Sequence, residues 1–221
     1  YEKNIERLYQ EPVFAKGGGV CRSPWDIDWQ DEPFSPRDET LISPIKLPGI
    51  MKDIWEKGEP TKTSAVYIHV PFCRLSCTYC AFYKKQADEA AQHAYANLLV
   101  KEIQSLKNRP YLTRSKISSI FFGGGTPGIL SAADISSIME AIHEVLPLTK
   151  DAEITMESSL SDMTEEKMDA AISCGVNRFS FGVQSFDTKI RNAVGRPLPR
   201  EEVLKKLSAF AKKDALMILD L

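Results

Sequence analysis

With 221 residues, 43% of them hydrophobic and 9% aromatic, the chain can bury one sizeable core and does not require two domains. A formal net charge of −2, with both signs interspersed, offers no basic footprint for nucleic acid or an anionic membrane. No apolar run approaches the ~18 residues of a membrane span.

Residues 1–64 hold seven of the thirteen prolines and all three tryptophans, Trp25, Trp29 and Trp55. The opening YEKNIERLYQ is polar and helix-prone and does not read as a signal peptide. Beyond one short helix at PGIMKDIWEKG the segment has no sustained period. It is expected to be irregular and to wrap onto a main body that starts at residue 65, with its tryptophans as packing anchors.

From there the pattern alternates. SAVYIHV (64–70) reads as a strand, followed by a cysteine-containing loop and a long helix, DEAAQHAYANLLVKEIQSLKN. KISSIFFG (116–123) is a second strand, then a glycine run, then a helix opened by Ser131 with Asp134 three residues on. AEITMES (152–158) is a third, with the helix TEEKMDAAISCG after it and Gly175 placed to end that helix. RFSFGVQ (178–184) is a fourth, followed by helices near 187–194 and 200–212, and ALMILDL (215–221) is a fifth. Strands alternating with helices imply an α/β fold whose parallel strands are joined by right-handed crossovers.

Side chains alternate faces along a strand. Tyr67 and His69 therefore oppose Val66, Ile68 and Val70; Glu153, Thr155 and Glu157 oppose Ile154 and Met156; Ser180, Gly182 and Gln184 oppose Phe179, Phe181 and Val183. One apolar face under helices and one polar face toward a cavity suit a barrel that holds a polar ligand. The unusual residues also share an address. The cysteines follow strand one, GGGTP (Gly123–Pro127) follows strand two, and Glu157, Gln184 and Asp220 end strands three, four and five. Parallel α/β folds place their ligand sites at these carboxyl ends.

The loop CRLSCTYC spaces Cys73, Cys77 and Cys80 as C-x3-C-x2-C. Five cysteines cannot all pair, and three crowded together fit metal binding in a reducing, cytoplasmic compartment better than a disulfide framework. On spacing alone a structural zinc site remains open, but it needs a fourth ligand from His69, Cys21 or Cys174. The two cysteines among these read more simply as packed thiols. A 4Fe–4S cluster is usually held by four thiolates. With three, one iron is left open to a small molecule.

CRLSCTYC after a strand, with GGGTP after the next, resembles the radical S-adenosylmethionine (SAM) superfamily. The resemblance implies a partial parallel (β/α) barrel with about five of the six βα units of that fold, preceded by the irregular N-terminal segment. It implies a 4Fe–4S cluster held by Cys73, Cys77 and Cys80, its fourth iron open to the amino and carboxylate groups of SAM. One electron passed into the sulfonium releases a 5′-deoxyadenosyl radical that abstracts hydrogen. YIHVPFC, FFGGGTP and NRFSFGVQSFD are similar to the oxygen-independent coproporphyrinogen oxidase branch over roughly residues 64–221. Carried over from that branch, Tyr67, Glu157, Gln184, Arg196 and Asp220 contact SAM, and Tyr79 lies beside the adenine. The backbone of Gly124, Gly125 and Thr126 receives the methionine part. Arg196 rests on the resemblance alone.

Within the branch, the decarboxylating oxidases carry a further cysteine where this chain has Phe82, and an NP or DP pair where it reads MESSL. CAFY and the stretch DMTEEKMDAAISCGVNRFSFGVQSFDTKIRNAVGR look closer to the anaerobic heme-degrading radical SAM methyltransferases. The resemblance therefore implies a tetrapyrrole substrate, heme or a porphyrinogen, and an electron donor such as a flavodoxin or ferredoxin. Heme degradation with methyl transfer and ring opening is the first expectation, an oxidase-like oxidoreductase the second, and a non-catalytic heme-binding chaperone the third. Because LMILDL ends on a buried-type strand, the chain is also expected to be incomplete at its C-terminus, without a sixth unit or substrate lid.

Overall fold

Alternating apolar runs build one five-stranded sheet, in which every strand is parallel to its neighbours and spatial order follows chain order. The computed structural model describes residues 15–16, 19–20, 44–60, 63–81 and 85–221. The expectations for the first ten residues, Cys21, Trp25, Trp29 and Phe82 lie outside the described residues. The chain divides into two compact units, Tyr1–Pro48 and Gly49–Leu221. In the first, Ala15–Lys16 (β1) and Gly19–Val20 (β2) pair antiparallel, with Ala15 opposite Val20. A helix, Leu47–Lys57 (α1), spans the division and carries an Asp53–Lys57 pair one turn apart. Its Trp55 meets Tyr111 edge to face at 5.8 Å and packs against the core, as the anchor reading expected of it.

The second unit contains the sheet. Ser64–Val70 (β3), Ile117–Gly124 (β4), Leu148–Ser158 (β5), Arg178–Gly182 (β6) and Leu216–Asp220 (β7) lie in that order. The connections contain Glu89–Ser105 (α2), Pro110–Arg114 (α3), Ala132–Val145 (α4), Glu165–Ser173 (α5), Thr188–Ala193 (α6) and Arg200–Phe210 (α7). A doubly wound sheet reverses strand order and places helices on both faces. Here the order never reverses, and α2 packs on α4, α4 on α5, and α5 on α7. Right-handed crossovers then put the helices in one layer and, among the described residues, leave the other face without a helix, which is the partial barrel expected from the sequence.

The helix-side face is the core. Ile68, Val70, Ile120, Phe122, Ile154, Met156, Phe179 and Phe181 are buried there. Phe181 stacks between Phe179 and Phe210 of α7, at centroid distances of 6.1 and 5.5 Å. The helices begin where short polar side chains satisfy their first amides. Asp88 accepts from Ala91, Ser131 from Asp134, Thr164 from Lys167, and Asp187 from Lys189 and Ile190. Gly175, at φ +99°, closes α5.

Three details depart from the sequence reading. β5 starts at Leu148 because Leu148 already pairs with Ile117 across a register shift, while the polar Thr149–Asp151 mask the strand. β6 stops at Gly182 because Gln184 turns to φ +68°, and the amides of Val183 and Gln184 both donate to the Asp220 carbonyl. α3 is five residues long, too short to show a helical period. Phe181→Ala should cost about 3–5 kcal/mol in a denaturant titration, because it opens the centre of a ring stack. Leu98→Ala on α2, 61% exposed, should stay within about 0.5 kcal/mol of the parent.

Candidate functional site

The cysteine loop is tied at its base. Phe72 bridges to Lys85, the Lys85 amide donates to Pro71 O at 2.8 Å, and the Cys73 amide donates to Lys85 O at 3.1 Å. Within the loop the Cys80 amide donates to Cys77 O, and Cys73 Sγ lies 3.4 Å from Thr126 Oγ1. Cys73, Cys77 and Cys80 line one small cavity, together with Tyr79, Gly125, Thr126 and Arg196. All three are partly exposed and form no disulfide. Among the described residues no three His, Cys, Asp or Glu stand as a ready-made site for a single ion. A cluster makes a different demand, since each of its ligands binds a separate iron. Three soft thiols facing one cavity beside a cation fit that demand.

Of the described candidates for a fourth ligand, neither joins this cavity. Cys174 follows α5 at the opposite end of the sheet, where its carbonyl lies 2.8 Å from His143 Nε2. The His69 ring lies against Gly124, with Nδ1 3.1 Å from the Tyr67 hydroxyl.

The glycine run is shaped by close approach. A Cβ on Gly123 would stand 2.9 Å from the Tyr67 ring and 3.2 Å from Glu157 Oε2; one on Gly125 would stand 2.5 Å from Phe72 O. Only glycine lets the backbone sit there. Two amides of the run are occupied, Gly125 donating to Val70 O at 2.7 Å and Thr126 to Phe72 O at 2.8 Å. A ligand meeting the main chain there would therefore find mainly carbonyl oxygens.

Two carboxylates face each other across the bare side of the sheet. Burial, followed by the Asp220 charge, pushes the Glu157 pKa above the usual carboxylate value, against the Gly124 amide that favours the anion. Asp220 is oriented by Ser180, whose hydroxyl donates to Oδ2 at 3.0 Å. Glu153 lies lower on β5 and is paired with Arg178. On the other flank Arg196 donates to the Tyr79 hydroxyl at 3.1 Å. It also lies beside Gln184, both side chains crowding the space over Gly182. Burial opposes the Arg196 charge, but the Tyr79 hydroxyl and the Cys77 and Cys73 thiols outweigh it and raise its pKa. Its Nε is buried without a hydrogen-bond partner among the described residues, an unmet donor of the kind a ligand carboxylate satisfies.

The structure thus gathers Cys73, Cys77, Cys80, Tyr79, Gly125, Thr126 and Arg196 around one cavity, with Gln184 against Arg196. Tyr67, Gly124, Glu157 and Asp220 form a second group on the cavity face. Sequence reasoning did not single out Ser180, nor His69 as a partner of Tyr67. Strand alternation had put both on this face, and that was the available signal.

Such a rim, with a three-thiol loop after the first parallel strand and a glycine turn after the second, defines a radical SAM domain. The profile of the radical SAM superfamily matches residues 67–215, and the chain belongs to that superfamily. Within it the similarity falls in the branch of anaerobilin synthase, coproporphyrinogen oxidases and heme chaperones. The chain is 32% identical over 199 residues to anaerobilin synthase of Escherichia coli O157:H7, covering 86% of this chain and 45% of that protein. It is 37% identical over 134 residues to the oxygen-independent coproporphyrinogen III oxidase of Paracoccus denitrificans, covering 60% of this chain and 29% of that protein. It is 32% identical over 151 residues to the heme chaperone HemW of Lactococcus lactis, covering 68% and 38%. The structure of the coproporphyrinogen III oxidase HemN from Escherichia coli superposes with a TM-score of 0.68 at 27% identity, covering 79% of this chain and 40% of that one. The chain thus spans less than half the length of each of these relatives.

Anaerobic reconstitution should load about four irons per chain, and Ala at Cys73, Cys77 or Cys80 should abolish loading while Cys174→Ala should not; iron and sulfide assays check this. Glu157→Gln should weaken SAM binding roughly ten- to a hundredfold, the worth of one charge-assisted hydrogen bond. Glu153→Gln, about 13 Å down the strand, should have little effect. Since the anion is lost as pH falls through a raised pKa, SAM affinity should decline on acidification above the ordinary carboxylate range, and Glu157→Gln should flatten that decline. Titration calorimetry across pH decides.

Proposed function

We propose that this chain is the radical SAM core of an enzyme that degrades heme anaerobically, with methyl transfer and ring opening. The observation that carries this reading is the extent of one similarity. The match to anaerobilin synthase covers 86% of the chain, more than residues 65–221 alone can supply, so it runs into the N-terminal segment. The matches to the oxidase and the chaperone cover 60% and 68%. Phe82 and MESSL, where the decarboxylating oxidases differ, support the same choice.

When bound, a 4Fe–4S cluster with an open iron supplies an electron to SAM and so generates the radical that starts the reaction. The chain's own residues hold and orient the reactants. Cys73, Cys77 and Cys80 would ligate the cluster. The unmet Arg196 donor would hold the SAM carboxylate, and the carbonyls of the Gly124–Gly125 turn would accept from the N–H groups of its amino group, leaving the nitrogen lone pair for the open iron. Glu157 and Asp220 would accept from the ribose hydroxyls, with Tyr79 beside the adenine. Tyr67, 58% exposed and stacked over Phe121 at 6.2 Å, offers a flat apolar surface on the cavity face. Reduction would come from a small electron carrier such as a flavodoxin or ferredoxin.

A full-length protein containing this chain, reduced with dithionite without oxygen, should cleave SAM to 5′-deoxyadenosine faster with heme present and yield a methylated open-chain tetrapyrrole by mass spectrometry. Loss of carboxyl groups from coproporphyrinogen would establish the oxidase instead. Heme binding with no SAM cleavage would establish the chaperone.

A further inference from the structure

The outer flank of the cysteine loop rests on the segment that follows β6. Thr78, which sits between two of the thiols, donates its amide to Val194 O and its hydroxyl to Ala193 O, both at 3.4 Å. Gly195 has φ +78°, and a Cβ there would lie 3.0 Å from Ser76 O and 3.3 Å from Cys77 Cα. Its neighbour is thus the backbone of a thiol-bearing residue, which cannot swing aside as a side chain could.

That segment is itself pinned. Arg191 is 1% exposed, among the largest fully buried side chains of the chain. Its guanidinium donates to Leu198 O at 2.7 Å, to Val183 O, and to Ser185 O at 3.2 Å. A buried cation bonded to carbonyls alone is costly to keep, and an apolar side chain would fill the space more cheaply. What it provides is geometry: its three acceptors lie at both ends of the 183–198 connection, and one cation draws them together. The Arg196 amide returns to Arg191 O at 2.8 Å, which fixes the turn containing Gly195.

We infer that Ala193–Gly195, held by Arg191, is the seat of the cysteine loop, and that Arg191 and Gly195 are positioning residues for the iron–sulfur centre. Neither lines the cysteine cavity. They act through Ser76, Cys77 and Thr78. The inference rests on the cluster reading of the loop.

Gly175 is a matched control. It also has positive φ (+99°), and a Cβ there would meet His143 at 3.2 Å, but it closes α5 at the far end of the sheet. Both glycine-to-alanine changes therefore carry a similar backbone strain. The parent chain, Gly195→Ala and Gly175→Ala are reconstituted anaerobically. Iron release to a chelator and the electron paramagnetic resonance of the reduced protein, with and without SAM, are then recorded. Gly195→Ala should release iron roughly tenfold faster, the lower end of what lost outer-shell support costs a metal site, with an altered spectrum and a diminished response to SAM. Gly175→Ala should lose thermal stability yet keep the parent's release rate and spectrum. A Gly195→Ala protein matching the parent in both readouts overturns the seat, as does an equal change in the two variants. If Gly195→Ala fails to fold, Thr78→Val decides: faster iron release supports the seat, and a parental rate overturns it. A parent that takes up no iron overturns the cluster reading together with the seat, whereas a normally loading parent isolates the failure to the seat.

Discussion

Strands of one parallel sheet must all end on the same edge, and the site follows from that constraint. Because strand order equals chain order, each crossover moves one strand along, and each new carboxyl end adds one element to a common rim. The cysteine loop leaves β3, the glycine turn leaves β4, Glu157 lies near the end of β5, Gln184 lies just past β6, and Asp220 ends β7. Residues as far apart in sequence as Cys73 and Asp220 are thereby brought to one edge of the sheet. The helices cover the opposite face, so the rim and the bare side of the sheet are left for chemistry.

Polarity around the rim is mixed. Thiols, the Arg196 guanidinium and the Asp162 carboxylate share one cavity, and Glu157 and Asp220 lie on the other flank of the glycine turn. With the amides of Gly125 and Thr126 engaged inside the protein, the turn presents chiefly carbonyl acceptors, while the Arg196 Nε on the thiol flank is a donor without a partner among the described residues. Glu157 and Asp220 add a second bias, since a ligand donating to both would offset the Asp220 charge that, after burial, raises the Glu157 pKa.

The strand faces were legible because apolar and polar residues alternate along β3, the upper part of β5 and β6, and burial follows that alternation except at Thr155, which is buried. The addresses of the site residues followed from strand ends. Other features were hidden for physical reasons. The left-handed turn at Gln184 occurs at a residue that does not advertise it. The first residues of β5 after Leu148 are polar and little buried, so no alternation marks them as strand. Arg196 carried no periodic signal, since its place at the thiol cavity is made by a turn. The contact of Gly195 with Cys77 joins residues 118 positions apart, a distance that no local pattern crosses.

The same physics explains why the seat of the cysteine loop can be distant in sequence yet narrow in tolerance. A loop of eight residues carrying three cysteines has few backbone bonds of its own, so its shape is imposed from outside. The Phe72–Lys85 bridge fixes its base, Thr126 touches its first thiol, and the turn at 193–195 closes against its middle. Two of these three supports are glycine-dependent, because Gly125 and Gly195 each bring backbone against backbone where a methyl group would not fit. A site built this way is rigid where the cluster must be held. The face of the sheet that carries Tyr67, Phe121 and His69 stands apart from these supports, since none of those three residues lines the cysteine cavity.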